Sequence, residues 1–168
     1  MSSIGSEDLN NKLNAWAEHI RAGVLPGESL ALVGLIRHGD VLARRLAEKL
    51  QMTGLCVRCG ALDISLYRDD WDLQANKMPL HSSYLPFSTD GLKVILIDDV
   101  IHTGRTVRAA LNALFEYGRP AAVELHCLVD RCGRQLPIQP DYTAYPTPME
   151  CEVAVHLQEI DGYDDIEY

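Results

Sequence analysis

The stretch "KVILIDDVIHTGRTVRAALNALFEYG", Lys93 to Gly118, decides the fold. Four apolar residues, Val94–Ile97, run into Asp98 and Asp99, and a Gly-Arg-Thr then opens a helical pattern. Val107, Ala110, Leu111, Leu114 and Phe115 recur at helical spacing and predict a buried stripe on a helix from Gly104 to Tyr117. Gly118 fits the left-handed residue past its end, and Pro120 prevents continuation. A strand apolar on both faces that feeds a helix needs cover above and below, which favours a parallel sheet with helices on both sides.

The rest of the chain has the same alternation. "EDLNNKLNAWAEHIRA" (7–22) places Leu9, Leu13, Trp16 and Ile20 on one helical stripe, available to an interface. "SLALVGLI" (29–36) reads as a buried strand, and "GDVLARRLAEKLQM" (39–52) as a helix stopped near Gly54. "ALDISLY" (61–67) alternates as a strand, and so do "AVELHCLVD" (122–130) and "CEVAVHLQEI" (151–160). "LPIQPDYTAYPTP" is Pro-rich and irregular, and residues 68–92 show no clean period. The expectation is one α/β domain over residues 1–168, with an acidic C-terminal tail at 150–168.

Net charge is −9, but seven acids and no Lys or Arg lie between Glu150 and Tyr168, leaving 17 acids against 15 bases elsewhere. The body is thus nearly neutral, and a local basic face made by Arg21, Arg44, Arg45 and Lys49 stays open. No apolar run is long enough to span a bilayer, and the N-terminus lacks a basic-then-apolar leader, so a cytoplasmic protein with no membrane partner is expected. Cys56 and Cys59 form a "CVRC" without the second pair a structural zinc would want; with Cys127, Cys132 and Cys151 they read as reduced thiols.

In open parallel sheets, ligands bind outside the carboxyl ends of the strands, where Asp98 and Asp99 would sit. The helix start that follows offers unpaired N–H groups and the positive end of a dipole, Gly104 permits close backbone approach, and Thr103 and Thr106 add hydroxyls. The loop therefore suits an anion beside a donor-rich group, as in a ribose 5-phosphate whose 2- and 3-hydroxyls donate to the two carboxylates.

"VILIDDVIHTGRT" resembles the motif by which type I phosphoribosyltransferases bind 5-phosphoribosyl 1-pyrophosphate (PRPP). More narrowly, "LVGLIRHGDVLARRLAEKL", "LDISLYRDD", "YGRPAAVELHCLVDR" and "RQLPIQPD" resemble the PyrR family, which joins uracil phosphoribosyltransferase activity to control of pyrimidine operons. The resemblance implies an open, mainly parallel sheet with a small hood and a flexible lid loop. It implies that uracil N1 attacks C1 of PRPP to give UMP and pyrophosphate, with Mg²⁺ carried on the pyrophosphate and ribose hydroxyls. It also implies binding of uridine nucleotides and leader RNA, and a homo-oligomer, dimer or larger. Two alternatives share the pocket: a PRPP- or UMP-sensing RNA-binding regulator with little catalysis, and a phosphoribosyltransferase for another base. A signalling domain with a Mg²⁺-binding acid pair fits the Gly-Arg-Thr helix start poorly.

Carried onto this chain, Asp98 and Asp99 hold the ribose hydroxyls, and Thr103, Gly104, Arg105 and Thr106 hold the 5-phosphate. Arg37, His38 and Gly39 fall on the pyrophosphate loop, where the family usually has Thr-Arg-Gly or Thr-Gly-Gly. Arg68 is expected near pyrophosphate on a lid that begins with Asp69 and Asp70, with Trp71 as its anchor and Lys77 as a further phosphate contact. His102 is placed either to move a base proton or as an exposed loop side chain. Asp130 and Arg131, at another strand end, approach Mg²⁺, pyrophosphate or base, or form an ion pair. The family's base-pocket stretch, Gly-Lys-x-x-Pro-Thr-Ser, is replaced here by "DYTAYPTPMECEV", so the base is not legible in particular residues.

Overall fold

The computed structural model describes residues 3–65, 82–147 and 152–168. Five strands form one all-parallel sheet: β2 (Leu30–Leu35), β3 (Val57–Leu62), β4 (Lys93–Ile101), β5 (Ala122–Arg131) and β6 (Tyr142–Thr147). Their spatial order is β3-β2-β4-β5-β6. A second, antiparallel sheet joins β1 (Ser3–Gly5), β8 (Asp165–Glu167) and β7 (Ala154–His156) in that order. This small sheet, with the short helix α4 (Gln158–Asp161), is the hood. The described part of the acidic 150–168 stretch is therefore folded into it.

Alternation along each strand splits the core in two. Leu32 of β2 and Ile95 and Ile97 of β4 face helices α1 (Ser6–Ala22) and α2 (Gly39–Met52). Val33, Val94 and Leu96 face helix α3 (Arg105–Leu114). Helices thus cover both faces, as the two-sided apolar strands require.

The α1 stripe Leu9, Leu13, Trp16 and Ile20 is buried within the chain's own core, not held open for an interface. Phe115, expected in the α3 stripe, lies just past that helix in a 3-10 turn and is exposed, while Ala109 and Ala113 are buried instead. Gly118 does have positive φ, at 134°, but it follows that turn in an extended conformation rather than a left-handed helical one. A Cβ there would press on Asp90 and Ser88 at 2.9 Å.

Three strand readings need correction. The first edge strand is Val57–Leu62; of the expected 61–67 strand only Ala61 and Leu62 belong to it, 63–65 lie past its end, and 66–67 fall outside the described residues. The Pro-rich stretch contains β6, paired to β5 from His126↔Tyr142 onward. The expected 151–160 strand is only Ala154–His156, after which the chain turns into α4.

One polar cluster lies under α1. Trp16 Nε1 donates to His126 Nδ1 at 3.0 Å, both groups being buried. His126 Nε2 lies 3.3 Å from Glu124, which pairs with Lys93 at 2.8 Å, and His19 stacks on Tyr142 at 4.5 Å. Burial pushes the His126 pKa down to about 4, and the indole donor likewise requires an unprotonated Nδ1. The unfolded chain takes up this proton near 6.5 and the folded chain only near 4. Stability is therefore full above about pH 6.5 and falls as pH drops toward 4, by roughly 3 kcal/mol in all. Urea midpoints measured at pH 7 and pH 5 are expected to differ for the wild type, and His126→Gln is expected to remove most of that difference.

Candidate functional site

The chain leaves β2 toward β3 on one side, and leaves β4 toward β5 on the other. The order reverses between the carboxyl ends of β2 and β4, where open α/β sheets form a ligand crevice. Two loops rim it: residues 36–39 after β2 and 102–104 after β4.

Both approaches depend on glycine. A Cβ on Gly34 would lie 2.2 Å from the Gly39 carbonyl oxygen, and one on Gly39 would lie 2.4 Å from that of Ile97. The β2 loop is thereby seated directly against β4. The Ile36–Arg37 peptide is cis, and His38 has φ 72°. Arg37 is exposed, His38 half-buried and Gly39 buried.

Asp98 and Asp99 lie inside β4, which runs to Ile101 rather than ending at Ile97. Pairing to β2 stops at Gly34↔Ile97, while pairing to β5 continues to Ile101↔Asp130. The acids therefore begin where β4 loses its β2 neighbour, and the crevice opens along that free side. Asp98 is buried and its Oδ1 accepts the Asp99 N–H at 3.0 Å. Burial, then the adjacent Asp99 charge, push its pKa well up. Asp99 is half-buried; Oδ1 accepts the Val100 N–H at 2.8 Å, and Oδ2 lies 3.0 Å from His38 Nδ1.

Helix α3 starts from Gly104 at φ 88°, with its carbonyl accepting the Arg108 N–H at 3.0 Å. Thr103 Oγ1 accepts the Arg105 N–H at 3.3 Å, and Thr106 stands in the first turn. The first turn of α1 carries Glu7 and Asp8, and that of α2 carries Asp40, but that of α3 has no acid. Its dipole and N–H groups are thus left for an external anion.

Bracing for this loop comes from residues to which sequence reasoning gave no role. The Arg134 guanidinium donates to the His102 carbonyl at 2.8 Å, the Ile138 carbonyl at 2.9 Å and Asp130 at 2.7 Å. Gln135 and Leu136 N–H groups donate to the Thr103 carbonyl, and Gln135 Oε1 accepts from Arg105 Nε at 2.9 Å. Asp130 thus forms an ion pair with Arg134, and Arg131 is half-buried beside it. His102 is exposed, its ring lying over Gly133, where a Cβ would come within 2.6 Å of Nε2. "RQLPI", part of the stretch "RQLPIQPD" that resembles the PyrR family, was the available signal for this brace.

The hood also reaches the site. Asp161 Oδ2 lies 3.5 Å from His38 Nε2, and Arg45 of α2 holds Glu159 at 2.5 Å and Asp164 at 2.7 Å. Arg68, Asp69, Asp70, Trp71 and Lys77 fall in 66–81, outside the described residues.

A parallel sheet with these two loops at its reversal point, under a small antiparallel hood, defines a type I phosphoribosyltransferase. Residues 5–159 match the phosphoribosyl transferase domain family. A hypoxanthine phosphoribosyltransferase from Staphylococcus aureus superposes with TM-score 0.71 at 17% identity, covering 96% of this chain and 87% of that one. Within this class the chain belongs to the PyrR family. It is 55% identical to Bifunctional protein PyrR of Akkermansia muciniphila over 142 residues, 84% of this chain and 80% of that protein. It is 44% identical to Bifunctional protein PyrR of a Picosynechococcus species over 169 residues, 98% and 94% of the two.

Proposed function

We infer that the protein transfers the phosphoribosyl group of PRPP to uracil, forming UMP and pyrophosphate, and that it also regulates pyrimidine genes by binding leader RNA. The observation that carries the transferase reading is the Asp98–Asp99 pair set beside an acid-free helix start at the sheet's reversal point. In this reading Asp98 and Asp99 accept the ribose hydroxyls, and the Thr103–Thr106 turn takes the 5-phosphate. Arg37, His38 and Gly39 receive the pyrophosphate. Bond breaking builds positive charge on the sugar and negative charge on the leaving group, so catalysis is positioning and electrostatics rather than covalent chemistry.

Mg²⁺ is read as arriving on PRPP, where it would neutralise the pyrophosphate. Hard carboxylate oxygens suit it nearby, but among the described residues no group of three or more His, Cys, Asp or Glu side chains is placed to hold a metal. The side chains in this reading orient the sugar, and the ion would be carried by the substrate. Uracil as the base rests on family membership.

The regulatory reading rests on the family too. Of its expected basic face, Arg45 is spent on Glu159 and Asp164, Lys49 donates to Asn10 and Asn14, and Arg21 pairs with Glu18. Arg44 is well exposed but lies 4.0 Å from Asp40. Among the described residues no helix is long and apolar enough to cross a membrane; a cytoplasmic location follows the family expectation. Assembly into dimers or larger follows the family expectation.

Incubation with PRPP, Mg²⁺ and either uracil or hypoxanthine tests the enzyme. UMP from uracil alone is expected, whereas turnover of hypoxanthine without uracil would reassign the base. A gel shift with pyrimidine-operon leader RNA, strengthened by UMP and weakened by salt, is expected for the regulator. Indifference to uridine nucleotides would remove that role.

A further inference from the structure

His38 stands between two carboxylates that are 62 positions apart in the chain. Its Nδ1 lies 3.0 Å from Asp99 Oδ2 on β4, and its Nε2 lies 3.5 Å from Asp161 Oδ2 on the hood helix α4. The short contact places a proton on Nδ1. A neutral ring would then turn the lone pair of Nε2 toward a second carboxylate, which is repulsive. Nε2 is also buried and meets no hydrogen-bond criterion with Asp161, so at 3.5 Å their contact is that of an ion pair. Only the doubly protonated ring presents an N–H to each acid.

The other charged and titratable groups around the ring are of both signs. Arg37 and Asp40 flank it in sequence, and Asp98 stands beside Asp99. On the hood side, His156 lies 3.9 Å from Asp161 and stacks on Tyr163 at 4.9 Å. The hydrogen bond to Asp99 raises the His38 pKa above its ordinary 6.5, with burial opposing and Asp161 adding to the rise. The backbone is a separate sign. At φ 72° a non-glycine residue is disfavoured by about 1 kcal/mol, and such departures concentrate at functional sites. Glycine would sit there more easily, so the side chain is what this position gains.

We propose that His38 is a positioning residue for the sugar site: as an imidazolium it clamps Asp99 to Asp161 of the hood, holds the Asp99 carboxylate for the ribose hydroxyls, and gives the pyrophosphate loop a proton-dependent positive charge. This rests on the PRPP reading above. The ligand class is a pentose 5-phosphate activated by pyrophosphate at C1. Both effects have the same sign. Below the His38 pKa the clamp is closed and the loop is cationic. As pH rises through that pKa, Asp99 loses its charged partner and PRPP binding weakens. Asp161 sets where on the pH axis this happens.

The test has two readouts. Imidazole resonances of His38 are followed by NMR from pH 5 to 10 in the unliganded wild type and in Asp161→Asn. The midpoint is expected to fall in the variant by about half a unit to one unit, as for loss of a neighbouring carboxylate. PRPP with Mg²⁺ is then titrated calorimetrically at pH 6 and pH 9 into wild type, His38→Asn and Asp161→Asn. The phosphates' own ionisation affects all three alike. Beyond that shared change, the wild type is expected to lose about tenfold in affinity, the scale of one unit-charge contact, and His38→Asn to lose nothing further. Equal pH dependence in wild type and His38→Asn would overturn the proposal, as would an unmoved imidazole midpoint in Asp161→Asn. Absence of PRPP binding in all three proteins would overturn the PRPP reading and with it the sugar-holding role, while the NMR titration still decides the clamp.

Discussion

Asp98→Asn combined with Asp99→Asn is expected to cut kcat/KM for PRPP by roughly a thousandfold while the folded protein becomes slightly more stable. The two halves of this expectation have one cause. Asp98 is buried, and burial and the Asp99 charge push its pKa up. A carboxyl group with a raised folded pKa favours folding fully only below its unfolded value near 4, and that contribution is lost as pH rises. At pH 7 the wild type therefore bears the cost of holding a buried carboxyl group against a second acid, which the His38 contact to Asp99 offsets only in part. Asparagine keeps the shape, and its carbonyl oxygen still accepts the Asp99 N–H that Asp98 Oδ1 accepts at 3.0 Å. Removing the charges relieves the cost, and a Tm rise of about 2–5 °C at pH 7–8 is expected for a chain of this size. The activity loss comes from the other side. Hydrogen bonds to a charged acceptor contribute roughly 1.5–3 kcal/mol each, and two of them account for a loss of about this size. Steady-state kinetics and thermal melts on the same preparation check both halves. Near-normal turnover would place the sugar elsewhere, and a large fall in Tm would make the pair structural rather than functional.

The acid pair was legible because its signal is local: an apolar run, two carboxylates and a Gly-x-Thr within thirteen residues. Helix α2 was legible to the residue for the same reason, since Val41, Leu42, Leu46 and Leu50 repeat at helical spacing and Gly54 stops it with φ 85°. Strand β3 was misplaced because its chemistry is not that of a core strand. Arg58, Cys59 and Gly60 interrupt any alternation, and β3 lies at the sheet edge, where one side has no strand to match. Gly60 is small because a Cβ there would come within 2.5 Å of Leu85 and 2.9 Å of the Tyr84 carbonyl oxygen, a contact no local pattern announces. Strand β6 was hidden by Pro146, which an edge strand tolerates. The hood was least legible. Its strands have three residues each, and Ser3 pairs with Glu167, across almost the entire chain. The hood contact from Asp161 to His38 was hidden with it, because it depends on that long-range pairing. The Arg134 brace is local by comparison, but most of its bonds go to backbone carbonyls, which carry no side-chain signature; its ion pair with Asp130 is the exception.

Gly34→Ala is expected to destabilise the protein by about 4 kcal/mol and to disable the pyrophosphate loop, although it adds a single methyl group in the middle of a strand. By propensity alone the change would be favourable, since glycine weakens a strand interior. Packing reverses the sign. The added Cβ would lie 2.2 Å from the Gly39 carbonyl oxygen, 2.4 Å from Asp40 Cα and 2.5 Å from Asp40 N. All three are backbone atoms of the loop and of the first turn of α2, so no side chain can swing aside. Ordinary overpacking costs about 1–3 kcal/mol, and three simultaneous backbone clashes exceed that. Relief requires α2 to lift from the sheet at its N-terminus. Gly39 moves with it, although it is itself held 2.4 Å (as a Cβ distance) from the Ile97 carbonyl. His38 is then drawn away from Asp99, so fold and site are damaged through one contact. Urea unfolding is expected to show the loss, and thermal melts a fall of about 8–16 °C. Gly5→Ala is the control: its φ of −74° is ordinary and nothing lies within 4 Å, so a change within about 0.5 kcal/mol is expected. Equal, small effects at both positions would mean that α2 does not rest on β2 as closely as described, and the glycine pair would lose its role in bringing the pyrophosphate loop to the acid pair.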